Sequence, residues 1–210
     1  MTKAVPIRIL VVDDHHVVRS GLAASLGLED DLEVIAEADS GASVAELVHR
    51  HRPDVVLMDL RLPGSDGIEI TAALRTQIPG TQVLMFTTFD GEEDVYRAMQ
   101  AGARGYLLKS AAREELLLAI RTVAAGERYL PPALAGRLAG RVAAPEVSER
   151  ERQVLHYMAH GKANKEIAAL LGISEETVKR HASNLFEKMD VADRAQAVSV
   201  GIRRGLIRFD

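Results

Sequence analysis

Three acidic residues and one lysine stand directly after short apolar runs of this 210-residue chain. They are Asp13 and Asp14 after residues 7–12, Asp59 at the end of residues 55–59, and Lys109 after residues 105–108. If the runs are parallel strands, their carboxyl ends lie at one edge of a sheet, where ligands bind. Three carboxylates in one crevice repel each other unless a cation lies between them. A hard divalent ion such as Mg²⁺ suits these ligands, and a metal-bound aspartate can accept a phosphoryl group.

The elements that must position these residues alternate in type along the first 125 residues. Apolar runs predict strands at Ile7–Val12, Glu33–Ala38, Val55–Asp59, Gln82–Thr87 and Gly105–Leu108. Amphipathic stretches predict helices at Val17–Leu26, Ala42–His51, Ile68–Gln77, Glu92–Ala101 and Arg113–Ala125. Five β–α units in this order predict an α/β fold with a doubly wound five-stranded parallel sheet. That fold hosts many functions, but the glycine motifs of dinucleotide and P-loop sites are absent.

The rest of the chain is helical in pattern. Residues 126–146 are rich in proline and glycine and predict a linker with one short helix, Ala133–Arg141. A capping box at Ser148–Glu151 opens a helix that ends near His160. Further helices are predicted at Asn164–Leu171, Glu175–Met189 and Ala192–Arg204. The middle pair, joined by a glycine turn, indicates a small four-helix domain with a helix-turn-helix, although a generic helical bundle has similar spacing.

Composition narrows the class of protein. There is no cysteine, so disulfides, thiolate zinc sites and cysteine nucleophiles are excluded. No run of about 18 apolar residues predicts a membrane span, and residues 1–6 do not have the layout of a signal peptide, so we expect a cytoplasmic protein. Residues 1–147 carry a net charge of −6 and residues 148–210 a net charge of +2, which weakly favours an anionic partner for the C-terminal part.

Four segments of the first 125 residues resemble the receiver domains of bacterial two-component response regulators. They are VVDD at 11–14, LMDLRLPGSDG at 57–67, MFTT at 85–88 and AGARGYLLK at 101–109. The resemblance implies that Asp59 is phosphorylated by a sensor histidine kinase and that Mg²⁺ is the cofactor. It implies that Asp14 and Asp59 bind the ion directly, Asp13 through water, and Arg61 through its backbone carbonyl. Thr87 and Lys109 would contact the phosphoryl group, and Tyr106 would be the switch aromatic.

A phosphatase of the haloacid dehalogenase type is the rival interpretation of an acidic pocket of this kind. Those enzymes use a D-x-D motif whose second aspartate protonates the leaving group. The corresponding position here is Arg61, so the general acid is missing. We therefore expect slow self-dephosphorylation and no enzymatic turnover of external phosphate esters.

The C-terminal segments VSERERQVL at 147–155 and GKANKEIAALLGISEETVKRHASNLFEKMDVADRAQAV at 161–198 resemble LuxR-type DNA-binding domains. With a receiver, this is the layout of the NarL/FixJ subfamily. The resemblance makes residues 175–189 the recognition helix in the major groove of double-stranded promoter DNA. It places Lys179, Arg180, Ser183 and Asn184 at or near base edges, and Thr177, Lys165 and Lys188 at phosphates. It assigns the last helix, with Val198 and Ile202 on one stripe, to the contact of a DNA-bound homodimer.

Together these features predict a transcription regulator controlled by phosphorylation, with a receiver at 1–125, a linker at 126–146 and a DNA-binding domain at 147–210. Lys179 and Arg180 could instead form an ordinary solvated face. Two other classes of protein remain open. One is a constitutive DNA-binding protein with a vestigial receiver, and the other is an interaction module that does not bind DNA.

Overall fold

The computed structural model describes residues 5–143 and 145–207, and the ends of both predicted domains (1–4 and 208–210) and linker position 144 lie outside that range. The chain divides mainly at residue 134 into two compact units, and residues 91–96 group with the second unit. None of the helices within the described part of the chain has the length and apolar content needed to cross a membrane.

A five-stranded parallel sheet forms the centre of the first unit. Its strands are β1 (Ile7–Val12), β2 (Leu32–Ala38), β3 (Val55–Met58), β6 (Gln82–Thr87) and β7 (Gly105–Leu108). They pair in the order β2-β1-β3-β6-β7. The chain moves outward from β1 to β2 and then returns to the other side through β3, so a crevice opens where β1 and β3 end. The predicted α/β architecture is confirmed.

Helices connect the strands at or near the predicted positions. They are α1 (His16–Leu26), a 3-10 turn (Gly41–Ser43), α2 (Val44–His51), α3 (Gly67–Gln77), α4 (Glu92–Ala101) and α5 (Arg113–Ala124). Two details differ from the sequence prediction. Asp59 follows β3 instead of closing it, and an antiparallel pair that we did not predict, β4 (Arg61–Leu62) with β5 (Ser65–Asp66), lies between β3 and α3. Strands of two residues carry no period-2 signal, so the sequence could not reveal them.

The middle strands are buried on both faces, as continuous apolar runs predict. All four residues of β3 are at most 1% exposed. The side chains of β1, β3 and β6 pack against the apolar stripe of α5, which contributes Leu116, Ile120 and Val123. This rigid centre fixes the points at which each strand ends.

The second unit is helical. Its elements, with the helix of the predicted linker, are α6 (Pro132–Ala143), α7 (Glu149–Ala159), α8 (Asn164–Leu171), α9 (Glu175–Met189) and α10 (Arg194–Arg204). The capping box of Ser148 with Glu151 is present, and the Ser174 hydroxyl accepts a hydrogen bond from the Thr177 amide. Helix α10 begins two residues later than predicted, because the Asp193 carboxylate caps it.

Two small apolar clusters hold these helices together. Val154, Ile167 and Val178 join α7, α8 and α9 in one of them. Leu155 and Leu185 belong to the other, which also receives side chains from α10. The turn between α8 and α9 bends at Gly172, whose φ of 65° is a left-handed value that suits glycine. The two helices of the predicted helix-turn-helix, α8 and α9, therefore share an apolar core with α7.

Gly67 gives a test of how closely α3 must approach the end of β3. A Cβ atom at this position would overlap the backbone carbonyl oxygen of Asp59, which cannot move without distorting the crevice. We expect Gly67→Ala to lower the free energy of unfolding by about 1–3 kcal/mol, measured by urea denaturation. The matched control is Gly21→Ala in α1, where a Cβ meets no atom within 4 Å and should stabilise the helix by about 0.5–1 kcal/mol. Equal effects of the two changes would contradict this account.

Candidate functional site

The three predicted acidic residues meet at the crevice between β1 and β3. Asp13 and Asp14 leave β1 where Asp59 leaves its neighbour β3, and the Asp59 amide donates to the carbonyl of Val12 at 2.9 Å. Ligand atoms of Asp13, Asp14, Asp59 and His15 all lie within 4.8 Å of one another. Asp13 and Asp59 are only 2% and 5% exposed, while Asp14 is open to solvent.

Lys109 supplies the positive charge that two buried carboxylates require. Its Nζ atom lies 2.5 Å from Oδ2 of Asp13 and 2.6 Å from Oδ2 of Asp59. Burial lowers the pKa of the Lys109 ammonium, but the hydrogen bonds with both aspartates outweigh it and raise the pKa above the usual value. Lysine is therefore charged at neutral pH and holds the two carboxylates together.

Backbone and side-chain contacts fix the position of Asp13. Its Oδ1 accepts a hydrogen bond from the His15 amide at 2.9 Å, and its carbonyl oxygen accepts one from Arg19 at 2.6 Å. The His15 ring lies 2.6 Å from the Asp14 carboxylate, so it belongs to the cluster. The first carboxylate of the site is thus preorganised before any ligand arrives.

These residues suit a hard cation. The donor set of Asp13, Asp14 and Asp59 consists of carboxylate oxygens, the ligands that Mg²⁺ prefers in proteins. The Arg61 amide lies 3.5 Å from Oδ1 of Asp59, so the backbone at this residue runs along the pocket. The role of the Arg61 carbonyl as a metal ligand stays a prediction.

Thr87 and Tyr106 bind the backbone of the same residue, Phe89. The Thr87 hydroxyl accepts a hydrogen bond from the Phe89 amide at 3.4 Å, and the Tyr106 hydroxyl donates to the Phe89 carbonyl at 2.8 Å. Both side chains are 0% exposed. Burial, together with the nearby charges of Asp90, Asp59 and Asp66, raises the pKa of Tyr106, which stays a neutral donor.

Phe89 was not singled out in the sequence, since backbone bonds leave no mark on its side-chain type. Its ring also lies under the Arg61 guanidinium, 5.5 Å from the ring centroid. The segment after β6 is therefore connected to the pocket through Thr87, to the sheet through Tyr106, and to the loop after β3 through Arg61. A change at the pocket can therefore reach this segment through Thr87, while Tyr106 and Arg61 hold the segment to the sheet and to the loop after β3.

The predicted recognition helix α9 presents an exposed polar face. Lys179, Arg180, Ser183 and Asn184 are all exposed, and the first three line one open depression with Thr177. Lys179 is 3.4 Å from Glu175 in an i,i+4 ion pair, and the Thr177 hydroxyl lies 2.8 Å from that of Ser174. Lys165 on α8 is exposed. The structure thus brings Thr177, Lys179, Arg180 and Ser183 onto one solvent-facing surface of α9.

Lys188 differs from the rest of the predicted DNA set. Its Nζ atom lies 2.8 Å from Oε2 of Glu151, whose side chain is 4% exposed. Glu151 also accepts the Ser148 amide, so one buried carboxylate ties the start of α7 to the end of α9. This structural role competes with the predicted phosphate contact, and no local sequence pattern indicates it because the partners are 37 residues apart.

The two residues of the predicted dimer stripe on α10, Val198 and Ile202, differ in exposure. Val198 is partly buried and packs against both apolar clusters of its own domain, so its part in a dimer contact stays a prediction. Ile202 is 44% exposed and remains available to a partner. A helix with two apolar sides does not reveal from its sequence which side meets the core.

Comparison with known proteins gives a family match for each half of the chain. Residues 9–121 match the family described as the response regulator receiver domain, and residues 146–200 match bacterial regulatory proteins of the luxR family. The probable transcriptional regulatory protein NarL of Mycobacterium tuberculosis is 41% identical over 207 residues, which cover 96% of each chain.

Two solved structures resemble the chain over nearly its whole length. The crystal structure of the response regulator ChrA from a heme-sensing two-component system is 40% identical, with a TM-score of 0.57, and the match covers 96% of this chain and 99% of that one. The response regulator RcsB in its complex with DNA has a TM-score of 0.70 at 21% identity, covering 93% and 97% of the two chains, and shares the fold.

The Glu151–Lys188 pair predicts that the stability of the helical unit depends on pH. Burial raises the pKa of Glu151, but the hydrogen bonds with Lys188 and Ser148 lower it by a larger amount. The pKa in the folded protein therefore lies below the unfolded value of about 4.3. The stabilisation is complete above the unfolded pKa and is lost as the pH falls through the folded pKa. We expect Glu151→Gln to remove this loss of stability at low pH and to lower the free energy of unfolding at pH 7 by about 1–3 kcal/mol.

Urea unfolding between pH 3 and pH 7, followed by NMR signals of α7 and α9, measures both quantities. The control is Glu187→Gln, which changes an exposed glutamate of α9 and should leave the profile unchanged. If Glu151→Gln leaves the stability of these helices at pH 7 intact, the buried pair does not hold α9.

Proposed function

Because this chain belongs to the two-component response regulators that join a receiver domain to a LuxR-type DNA-binding domain, we propose that phosphorylation of Asp59 controls its binding to promoter DNA. The family consists of transcription regulators and is not a class of enzymes. We place the receiver at residues 1–125, the linker at 126–146 and the DNA-binding domain at 147–210.

The observation that carries the proposal is the Lys109 bridge between Asp13 and Asp59. The bridge fixes the orientation of the Asp59 carboxylate at the carboxyl end of β3, beside the Lys109 ammonium. The buried Thr87 hydroxyl lies at the end of the neighbouring strand, β6. An Asp59 oxygen attacks the phosphorus of a phosphohistidine on a sensor histidine kinase, an O–P bond forms, the N–P bond breaks, and the imidazole nitrogen keeps the electron pair. Lys109 then stabilises the oxygens of the transferred group.

Asp13, Asp14 and Asp59, with the carbonyl of Arg61, would hold the Mg²⁺ cofactor. The ion would offset the negative charge that gathers when a phosphoryl group approaches three carboxylates. The His15 ring, beside the Asp14 carboxylate, belongs to the same cluster of possible metal ligands.

The signal would leave the pocket through Phe89. A phosphoryl oxygen on Asp59 would be a strong acceptor for the Thr87 hydroxyl, so Thr87 would turn toward it and give up the hydrogen bond that it accepts from the Phe89 amide. Tyr106, which binds the carbonyl of Phe89, would follow the displaced segment. This shift would favour a homodimer whose α9 helices read two half-sites about 34 Å apart. We place the regulator in the cytoplasm, where the kinase and the chromosome are both within reach.

Asp59→Asn tests the phosphoacceptor. The amide cannot act as the nucleophile, so we expect no incorporation of label from acetyl phosphate with Mg²⁺, and no dimer in light scattering after addition of beryllofluoride. Asp39→Asn is the control, since Asp39 is exposed just after β2 and does not belong to the acidic cluster. Retained label would move the acceptor to another residue. A wild-type protein that binds DNA equally with and without beryllofluoride would favour a vestigial receiver.

A pair of substitutions separates base reading from phosphate contact. Arg180 can bond guanine with two N–H groups, so Arg180→Ala should cost about 1–3 kcal/mol on a specific site and relax one base position. Lys165→Ala should weaken binding to all sequences alike and reduce the salt slope by about one. Binding selection over a range of salt concentrations measures both effects. The assignments are reversed if Arg180→Ala weakens all sequences equally and Lys165→Ala changes the preferred base.

A further inference from the structure

A second cavity lies at the other end of the parallel sheet. It has a volume of about 370 Å³, within the usual range for small-molecule sites, and opens between the C-terminal ends of α3 and α4. Gln82, the first residue of β6, and Arg104, just before β7, line it. The acidic pocket is at the opposite ends of the same strands, so the cavity has no part in it.

The cavity is positively charged. Three arginines line it, Arg75, Arg104 and Arg128, and no acidic side chain is among its described lining residues. Arg75 donates to the backbone carbonyl of Gln100 at 3.2 Å and so caps α4. Within the described part of the chain, Arg104 and Arg128 form neither an ion pair nor a side-chain hydrogen bond. Their guanidinium groups present planar sets of donors of the kind that match phosphate oxygens.

Gln82, which also lines the cavity, has a hydrogen-bond acceptor without a partner among the described residues. Its Oε1 atom is buried and accepts no hydrogen bond from the described residues. Its Nε2 atom donates to the carbonyl of Gly80 at 3.0 Å, which fixes the orientation of the amide. A buried acceptor without a donor is unfavourable, so the half-buried Gln82 side chain gains an interaction if it turns toward the cavity and meets an N–H or O–H group of a ligand.

Ordinary surface chemistry explains only part of this arrangement. Arginines near the last turn of a helix commonly bind its free carbonyl groups, and Arg75 does so. That role does not apply to Arg104 and Arg128, which converge on the cavity from the start of β7 and from the chain after α5. It also leaves the Gln82 carbonyl unexplained.

We propose that this cavity binds a phosphorylated small molecule of mononucleotide size that carries its own hydrogen-bond donor. Arg104 and Arg128 hold the phosphate, and the Oε1 atom of Gln82 accepts the N–H or O–H group. The site is separate from the acidic pocket and from the DNA-binding face. Its existence does not depend on phosphorylation of Asp59.

The test uses the full chain with Asp59→Asn and a chelator, so that no phosphoryl transfer or metal binding interferes. AMP, GMP, CMP, UMP and inorganic phosphate are titrated in turn by calorimetry. We expect at least one nucleotide to bind with one-to-one stoichiometry and more tightly than inorganic phosphate. NMR shifts on binding should centre on the amides of Thr81 and Gly102, which line the cavity.

Two variants assign the contacts. Arg104→Ala with Arg128→Ala should reduce nucleotide affinity at least tenfold. Gln82→Leu should reduce it several-fold while leaving binding of inorganic phosphate unchanged. The control, Arg150→Ala with Arg203→Ala, removes the same charge at exposed positions that do not line the cavity.

Three outcomes would overturn the proposal. They are no nucleotide binding at millimolar concentration, equal loss of affinity in the arginine pair and its control, and equal affinity for phosphate and every nucleotide. Thermal unfolding of each variant checks that the fold is kept. The arginine pair lies at the surface, so it remains informative even if Gln82→Leu is unstable.

Discussion

The ammonium group of Lys109, held between Asp13 and Asp59, is the interaction on which the first domain depends. Two carboxylates that are almost fully buried cannot both stay ionised at close range without a counter-charge. Lysine reaches them from the end of β7, two strands away from β3 in the sheet order, so the ion pairs also fix where β7 ends. The same contacts that stabilise the crevice leave it charged and ready for an anionic group that exchanges partners with them.

The segment at Phe89 shows how a local change of hydrogen bonds can be passed on. Two buried hydroxyls bind the two polar groups of one peptide residue, and the guanidinium of Arg61 covers its ring. The switch that we propose requires no large cavity or hinge, because the Thr87 hydroxyl would only exchange the bond that it accepts from the Phe89 amide for one that it donates to a phosphoryl oxygen. A switch of this kind needs a rigid sheet beneath it, and the buried strands β3 and β6 provide one.

Much of this could be predicted from the sequence, because periodicity fixes where strands end and the ends fix which residues meet. The positions of Asp13, Asp59 and Lys109 follow from that rule, and the caps at Ser148 and Ser174 are local signals. Contacts between distant segments could not be predicted. The pairing of Lys188 with Glu151 and the inward side of Val198 depend on how helices turn about their axes after packing, which single residues do not encode. Arg104 and Arg128 come close to Gln82 only when β6, β7 and the chain after α5 are assembled.

The anchoring of α9 has a further consequence. Val178, Ala182 and Leu185 attach the helix from within, and Lys188 fastens its end, while Lys179, Arg180 and Ser183 take no part in packing. If α9 reads DNA as we propose, the residues that set its sequence preference and the residues that stabilise the fold lie on different sides of one helix. Exchange of a few outward residues would then change the preferred operator without changing the stability of the domain.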